Sequence, residues 1–591
     1  MSEKARPWWR DTVINRRASI LGPADSRRRK GEWWDSAVIY QITPWSFQDS
    51  DGDGIGDLQG IIERLDYIGS LGVDAIWLTP IFDSPMDDLG YDVTGMRHVS
   101  PLFGSMGDFQ RLLDLAHGRG LRVVLDMVWN HTSDQHRWFV ESRSSRDNPR
   151  ADWYVWADPG PDGGPPNNWL SSFSGESGWH WEEARGQYYF ANFLKSQPDL
   201  NWFNEEVRAA VLERAKFWLD AGIDGMRLDA VNFFCHDPEL ADNPPRDRQG
   251  PPPDGISLDN PLAEQMFTNS FCRPETLELL APLRELVDAY PGVMLLGEVI
   301  EADDSIRTAA DYTAGDDRLH LAYHGALLFK ERMSAGKLRE VVRRALGAFG
   351  DKGACWIVGN HDFGRLHSQW NAADEHYPPA FYRMMAALLL VLPGAFCLWQ
   401  GDELGLGEAR IPEDIPPEKL KDPFGKAMYP RLNGRDGSRT PMPWDDGPQC
   451  GFTAGDAPWL PIPQAHRECS VATQQSNPGS ILNHWRALLR WRLTQPALQM
   501  GTTRVLDLGD ELFGLLREET EQRLLAIFNI SERPVTVDLR AYGPLCPAQG
   551  LGYGQRDVLA DTLELEPWGV LLADAEVSVP DAPGKAEACA S

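Results

Sequence analysis

Four apolar runs in this chain each end in polar residues, and that recurrence restricts the fold more than any other feature. LRVVLDMVWNH ends in Asn130 and His131, GMRLDAVNFF carries Arg227 and Asp229, VMLLGEV ends in Glu298, and ACWIVGNHD ends in Asn360, His361 and Asp362. Each has the grain of a short parallel strand buried on both faces, where charge is avoided unless it has a use. In a closed parallel barrel the C-terminal strand ends share one face, and active sites form there.

The rest of the chain supplies the missing units. Strand patterns at 38–45, 74–80, 121–130, 225–231, 293–299, 321–326, 354–362 and 395–401 alternate with helical patterns. The helices are expected in DLQGIIERLDYIGSLG and SMGDFQRLLDLAHGRG, then at 204–222, 273–290, 302–312, 337–350, 377–393 and 480–496. This predicts an α/β fold, a (β/α)8 TIM barrel over 33–130 and 204–498. Long insertions follow strands and so belong to the same face: a subdomain at 131–203, a loop at 235–272 and a segment at 402–479. From about 500 the grain changes to short alternating runs, which predicts an all-β C-terminal sandwich over 499–583. Residues 1–32 read as a flexible extension, without an apolar signal segment.

Composition excludes several classes of function. The 591 residues carry 57 basic and 87 acidic side chains, a net charge of −30 that disfavours nucleic acid and anionic membrane. Eight cysteines without framework spacing suit reduced thiols in a cytoplasmic protein. The most apolar stretch, MMAALLLVLPGAFCLW, is broken by Pro393 and Gly394 and is too short to cross a bilayer comfortably. A soluble monomer or homodimer acting on a small molecule is expected.

Asp229, Glu298 and Asp362 are thus expected at one barrel mouth. Glycoside cleavage with retention needs such a set: a carboxylate nucleophile, a second carboxyl that donates and then accepts a proton, and charge near an oxocarbenium-like transition state. Arg227 lies two residues before Asp229 and projects to the same side of its strand, where its cation is expected to keep Asp229 ionised. Like charge from Asp362 would raise Glu298. Upstream, Asp49, Asp51, Asp53, the Ile55 carbonyl and Asp57 offer hard oxygens at alternating positions around glycines, as a Ca²⁺ loop requires. It is no complete EF-hand loop, since the twelfth position from Asp49 is Gly60.

DMVWNH, GMRLDAVN, the GEV carrying Glu298, and GNHD resemble, in order and spacing, the four signature regions of the α-amylase family, glycoside hydrolase family 13. The resemblance covers residues 33–580. It implies that Asp229 is the nucleophile, Glu298 the acid/base and Asp362 the stabiliser, with His131 and His361 on the same glucose ring. QPDLN (197–201) resembles the marker of the oligo-1,6-glucosidase and α-glucosidase branch. Asp88 and Tyr91, with Arg439, resemble that branch's clamp on the non-reducing glucose, where an Asp–Arg pair enforces exo action. Phe173 and Phe193 resemble its aromatic walls, although ordinary packing of the insert is the alternative. The acidic loop resembles that branch's structural Ca²⁺ or Mg²⁺ site.

The implied activity is that of a retaining exo-α-glucosidase on maltose, sucrose or aryl α-glucosides, with transglucosylation. Ala230, after the nucleophile, departs from the Val and Thr that accompany α-1,6 and α-1,4 preference, so linkage stays open. A trehalose synthase or sucrose-acting transferase would use the same three acids. A transporter heavy-chain-like binding protein resembles the barrel too, but lacks the triad and carries a span.

Overall fold

The computed structural model describes residues 31–575 except 248–252, 257–259, 329–331, 371–376, 413, 433, 552 and 554–560. Residues 1–30 of the expected 1–32 extension and the tail beyond 575 lie outside the described residues, as does part of the 235–272 loop. The barrel strands are β1 (Val38–Ile42), β2 (Ala75–Leu78), β3 (Arg122–Met127), β4 (Gly225–Leu228), β5 (Met294–Val299), β6 (Leu321–His324), β7 (Ala354–Trp356) and β8 (Gly394–Trp399). Each pairs in parallel with its sequence neighbours, and β1 closes onto β8 through the Val38–Phe396 register. The polar residues that end the apolar runs, Asn130, Asp229, and His361 with Asp362, lie just beyond their strands, whereas Glu298 is still within β5. The ladder stops where side chains turn to chemistry.

Two apolar layers hold the barrel. Inside it, Ile39, Trp77, Val124, Met294, Leu296, Tyr323, Cys355 and Cys397 pack as one cluster, while the strand exteriors join a larger one with the surrounding helices. Two expected helices are each divided in two. The first gives Leu58–Glu63 and Leu65–Leu71, separated by Arg64, and the later one gives Glu275–Leu279 and Ala281–Asp288, separated by Leu280. The helix Met106–His117 starts on a Ser105–Asp108 capping box, which satisfies two free N–H groups at once.

The C-terminal region forms an antiparallel sheet of β9 (Thr502–Leu506), β10 (Leu512–Glu519), β11 (Gln522–Asn529), β12 (Leu545–Pro547) and β13 (Val570–Ala575). Side chains alternate along it. Leu516, Leu525, Ile527 and Leu571 pack against the strand pair 535–538 and 562–565, while Phe513, Leu515, Leu524 and Phe528 face the barrel's core. Two buried arginines weld this junction. Arg517 Nη1 donates to the Val391 carbonyl at 2.8 Å and Arg492 Nε to Leu390 at 3.0 Å, capping the C-terminal carbonyls of the helix Pro379–Val391. No helix among the described residues is long and apolar enough to cross a membrane.

Gly394 begins β8 at φ +102°, and a Cβ placed on it falls 2.0 Å from the Ala354 carbonyl oxygen of the neighbouring strand. Gly347, inside the helix Ala335–Phe349, meets nothing within 4 Å. Thermal melts should therefore separate the two: Gly394→Ala costs about 2 kcal/mol or more, whereas Gly347→Ala gains about 0.5–1 kcal/mol. Equal melting temperatures would contradict this account of the barrel seam.

Candidate active site

Arg227 is fully buried and all five of its N–H groups are engaged. Nη1 donates to Asp126 at 2.7 Å and Asp229 at 2.6 Å, Nη2 reaches Glu298 at 2.5 Å, and Nε and Nη2 donate to the Tyr323 hydroxyl at 3.0 and 2.7 Å. One guanidinium thus collects carboxyls from β3, β4 and β5 and a phenol from β6. Ala230 stands in the left-handed region at φ 44°, ψ 42°. That turn, strained for a residue with a Cβ, aims its N–H at Glu298 Oε2, 2.9 Å away. Both carboxyls are thus held by the same guanidinium, Asp229 through Nη1 and Glu298 through Nη2.

A second cation governs the third acid. Arg435 Nη1 donates to Asp362 at 2.6 Å, Nη2 reaches Asp88 at 3.0 Å and Asp422 at 2.6 Å, and the guanidinium lies 4.8 Å from the Phe173 ring centre. The pair expected between Asp88 and Arg439 is therefore corrected: Arg435, four residues earlier, holds Asp88. Arg439 stays in the site, donating to Asp362 at 3.0 Å and to the His361 carbonyl at 2.6 Å. The Gln41 amide nitrogen lies 2.7 Å from His361 Nδ1, and His361 Nε2 stands 3.0 Å from the Asp362 carboxylate.

The remaining expected residues meet at the same cleft, about 1820 Å³ in volume and lined by Asp88, Tyr91, His131, Phe173, Phe193 and the three acids among others. Tyr91 stacks on His361 with ring centres 5.1 Å apart and donates to Asp126 at 3.0 Å. His131 Nε2 lies 3.1 Å from the Tyr91 carbonyl oxygen, and Phe193 meets both His131 and Phe173 edge-on.

The electrostatics split the acids into two kinds. Burial pushes Asp229 and Glu298 up to about 7 each, against the attraction of Arg227, because three carboxyls share that single cation. The expectation that Arg227 alone keeps Asp229 ionised is thereby corrected. The two acids titrate as a pair, and one proton held between them near neutrality is what a nucleophile and its acid partner require. Burial also acts on Asp362, but the cations around it outweigh burial and hold it well below the usual carboxylate range. Since burial lowers His361 to about 4 and leaves it neutral, Arg435 and Arg439 do this at neutral pH.

In the acidic loop, Asp49, Asp51 and Asp57 offer carboxylate oxygens within 4.8 Å of one another, a hard-oxygen set suited to Ca²⁺ or Mg²⁺. Asp53 stands outside this group. Its Oδ1 accepts from the Ile55 N–H at 2.7 Å in a local turn, which competes for the oxygen.

Residues 41–501 match the family of α-amylase catalytic domains. The chain belongs to the α-amylase family. It is 44% identical over 546 residues to a probable alpha-glucosidase of Rhizobium meliloti (strain 1021), covering 92% of this chain and 97% of that protein. To an oligo-1,6-glucosidase of Heyndrickxia coagulans it is 38% identical over 543 residues, with 86% and 94% covered. The crystal structure of the alpha-glucosyl transfer enzyme XgtA superposes with a TM-score of 0.88 at 48% identity, covering 93% of this chain and all of that one (100%). This member of the α-amylase family is a glycoside hydrolase of the α-glucosidase branch.

Several residues of this α-amylase-family site escape sequence reasoning. Asp126 lay inside the DMVWNH run without a role, and Tyr323 sat in the weakest strand pattern. Gln197, whose Nε2 donates to Asp88 at 3.0 Å, was hidden within QPDLN. Asp422, which holds Arg435 through Nε at 2.9 Å and its backbone N–H at 2.6 Å, lies in the 402–479 insertion, where no periodicity exists to read.

The raised acids also fix a sign for stability. Glu298 folds with a pKa near 7 against an ordinary 4.5, so the protonated form is the one the fold favours. Its contribution is full below about pH 4.5 and is lost as pH rises through about 7. Glu298→Gln should therefore melt higher than the parent at pH 8 and gain nothing at pH 5, while losing turnover. A gain confined to pH 5 would reverse this reading.

Proposed function

We propose that this enzyme is a retaining, exo-acting α-glucosidase that removes the terminal non-reducing glucosyl unit of short α-glucosides such as maltose, sucrose or aryl α-glucosides. The observation that carries the reading is the Asp88–Arg435 pair, 3.0 Å across, whose guanidinium also holds Asp362; on this reading the pair closes the pocket behind a single sugar ring. Asp229 attacks the anomeric carbon while Glu298 protonates the departing oxygen. Glu298 then takes a proton from water, or from an alcohol acceptor, as that oxygen displaces Asp229. Asp362, Arg435 and His361 bond the sugar's hydroxyls, and Tyr91, His131, Phe173 and Phe193 form its walls. Ala230 is small beside the nucleophile and leaves either linkage room. Similarity to the alpha-glucosyl transfer enzyme XgtA supports a transferring side activity, and a transferase that retains the glucosyl group is the second reading.

Incubating the enzyme separately with maltose, isomaltose, sucrose and soluble starch, followed by proton NMR, tests this. α-Glucose should appear first from a disaccharide and little should come from starch. Asp229→Asn should fall by about a thousandfold or more. An accumulating isomer with little free glucose would favour the transferase, and no turnover of any sugar would refute both.

A structural Ca²⁺ or Mg²⁺ on Asp49, Asp51 and Asp57, joined by Asp53 and the Ile55 carbonyl, belongs to the same proposal. The ion would brace the first β/α turn and take no part in bond breaking. Chelation should lower the melting temperature by several degrees and Ca²⁺ should restore it, whereas an unchanged melt would remove the metal. Work in the cytoplasm as a monomer or homodimer is also proposed, and the free thiols of the described cysteines support it.

A further inference from the structure

The wall of the cleft beyond Glu298 contains several acids, and nearly all of them are engaged. Asp303 pairs with Arg246 and accepts from the Phe267 N–H at 3.3 Å. Asp304 pairs with Arg344 at 2.9 Å and caps the helix Ser305–Thr313. Asp254 accepts from Ser305 N–H and Oγ–H at 3.0 and 2.7 Å. Glu301 differs: it lines the cleft, half-buried, and no described residue bonds or pairs with its carboxyl. Its main chain is nonetheless fixed, because Asn232 Nδ2 donates to the Glu301 carbonyl at 2.8 Å and Cys272 Sγ lies 3.7 Å from the same oxygen. Asn232 stands three residues after Asp229 and Glu301 three residues after Glu298. The two catalytic strand ends are thus cross-tied, and beside them a carboxyl that no described residue engages lines the cleft.

The donor pocket is closed by Asp88 and Arg435, so the leaving group must exit past Glu298 on the Glu301 side. We infer that Glu301 is a specificity-determining residue of the leaving-group and acceptor side, where its carboxyl bonds a hydroxyl of an uncharged aglycone or alcohol, in a wall whose acids disfavour phosphorylated or otherwise anionic ones. The inference rests on the α-glucosidase reading above. A carboxyl that bonds no described residue gains a partner when a hydroxyl enters, whereas a phosphate brings negative charge to a wall where Asp362 is already ionised. Burial, together with Glu298 and Asp362, pushes the Glu301 carboxyl up to about 8, so an anionic group would enter a region that already resists negative charge.

The test compares the parent with Glu301→Gln and Glu301→Lys, each first matched to the parent in circular dichroism and melting temperature. The first readout is the ratio of kcat/KM for maltose, whose leaving group bears hydroxyls, to that for p-nitrophenyl α-glucoside, whose leaving group bears none beyond the scissile oxygen. That ratio should fall about tenfold in Glu301→Gln. The second is partition of the glucosyl-enzyme between glycerol and glycerol 3-phosphate. The parent should favour glycerol at least about tenfold, Glu301→Gln should keep that preference because the carboxyl it replaces is largely protonated near neutral pH, and Glu301→Lys should reverse it. Ratios equal in parent and variants would overturn the role of Glu301 while leaving the α-glucosidase reading intact. A parent that turns over no α-glucoside would overturn both.

Discussion

A single buried guanidinium sets the conditions for everything at the mouth of this barrel. Arg227 has no exposed surface, and its five N–H groups meet Asp126, Asp229, Glu298 and Tyr323 from four adjacent strands. Lysine offers three donors around a point charge and could not tie these groups in one plane. Without the cation three carboxyls would be buried together with no compensating charge, a larger penalty than most single interactions in a fold. With it, burial still leaves Asp229 and Glu298 high enough to share a proton near neutrality, and that residual imbalance is the useful property.

The second guanidinium centre does the opposite. Arg435 and Arg439 both reach Asp362 and keep it ionised, while Asp422 grips Arg435 from behind. Asp362 is reached by two cations, one of them shared with Asp88 and Asp422, whereas a single cation serves Asp126, Asp229 and Glu298, and two kinds of carboxyl result within one pocket. The difference lies in stoichiometry of charge, since all of these groups are buried. A retaining mechanism uses both kinds: a proton to pass along, and a fixed negative charge against the developing oxocarbenium ion.

The sites also differ in what builds them. The Arg227 cluster is made by strands whose register is fixed by barrel closure. The Arg435 cluster joins the loop after β2, the end of β7 and the long insertion after β8, and Met442 and Trp444 of that insertion bond back to Ser46 and Phe47. The pocket's closed end therefore depends on irregular segments anchored to the first β/α loop, the same loop that carries the acidic Asp49–Asp57 turn.

The barrel was legible because apolar runs of strand length separated by helical periodicity leave few other ways to bury their faces, and the acids stood out because charge at a buried strand end is rare. Asp229, Glu298, Asp362, His131 and His361 follow from that alone in position. What the one-dimensional pattern lacks is distance across loops. RDGSR (435–439) offers Arg435 and Arg439 at its two ends, and only the folded insertion decides which one meets Asp88. Asp53 looked equivalent to Asp49 and Asp51 until the turn directed its oxygen to Ile55. The proton affinity of Asp229 was likewise beyond the sequence, since it depends on how many carboxyls share Arg227 and how deeply they lie. Sequence by itself determined the strand order, the class of fold and the acids at its mouth, because these depend on local pattern and burial. Tertiary structure alone decided the pairings, the ionisation and the free carboxyl of Glu301, because charge interactions act through space between residues that may be hundreds of positions apart.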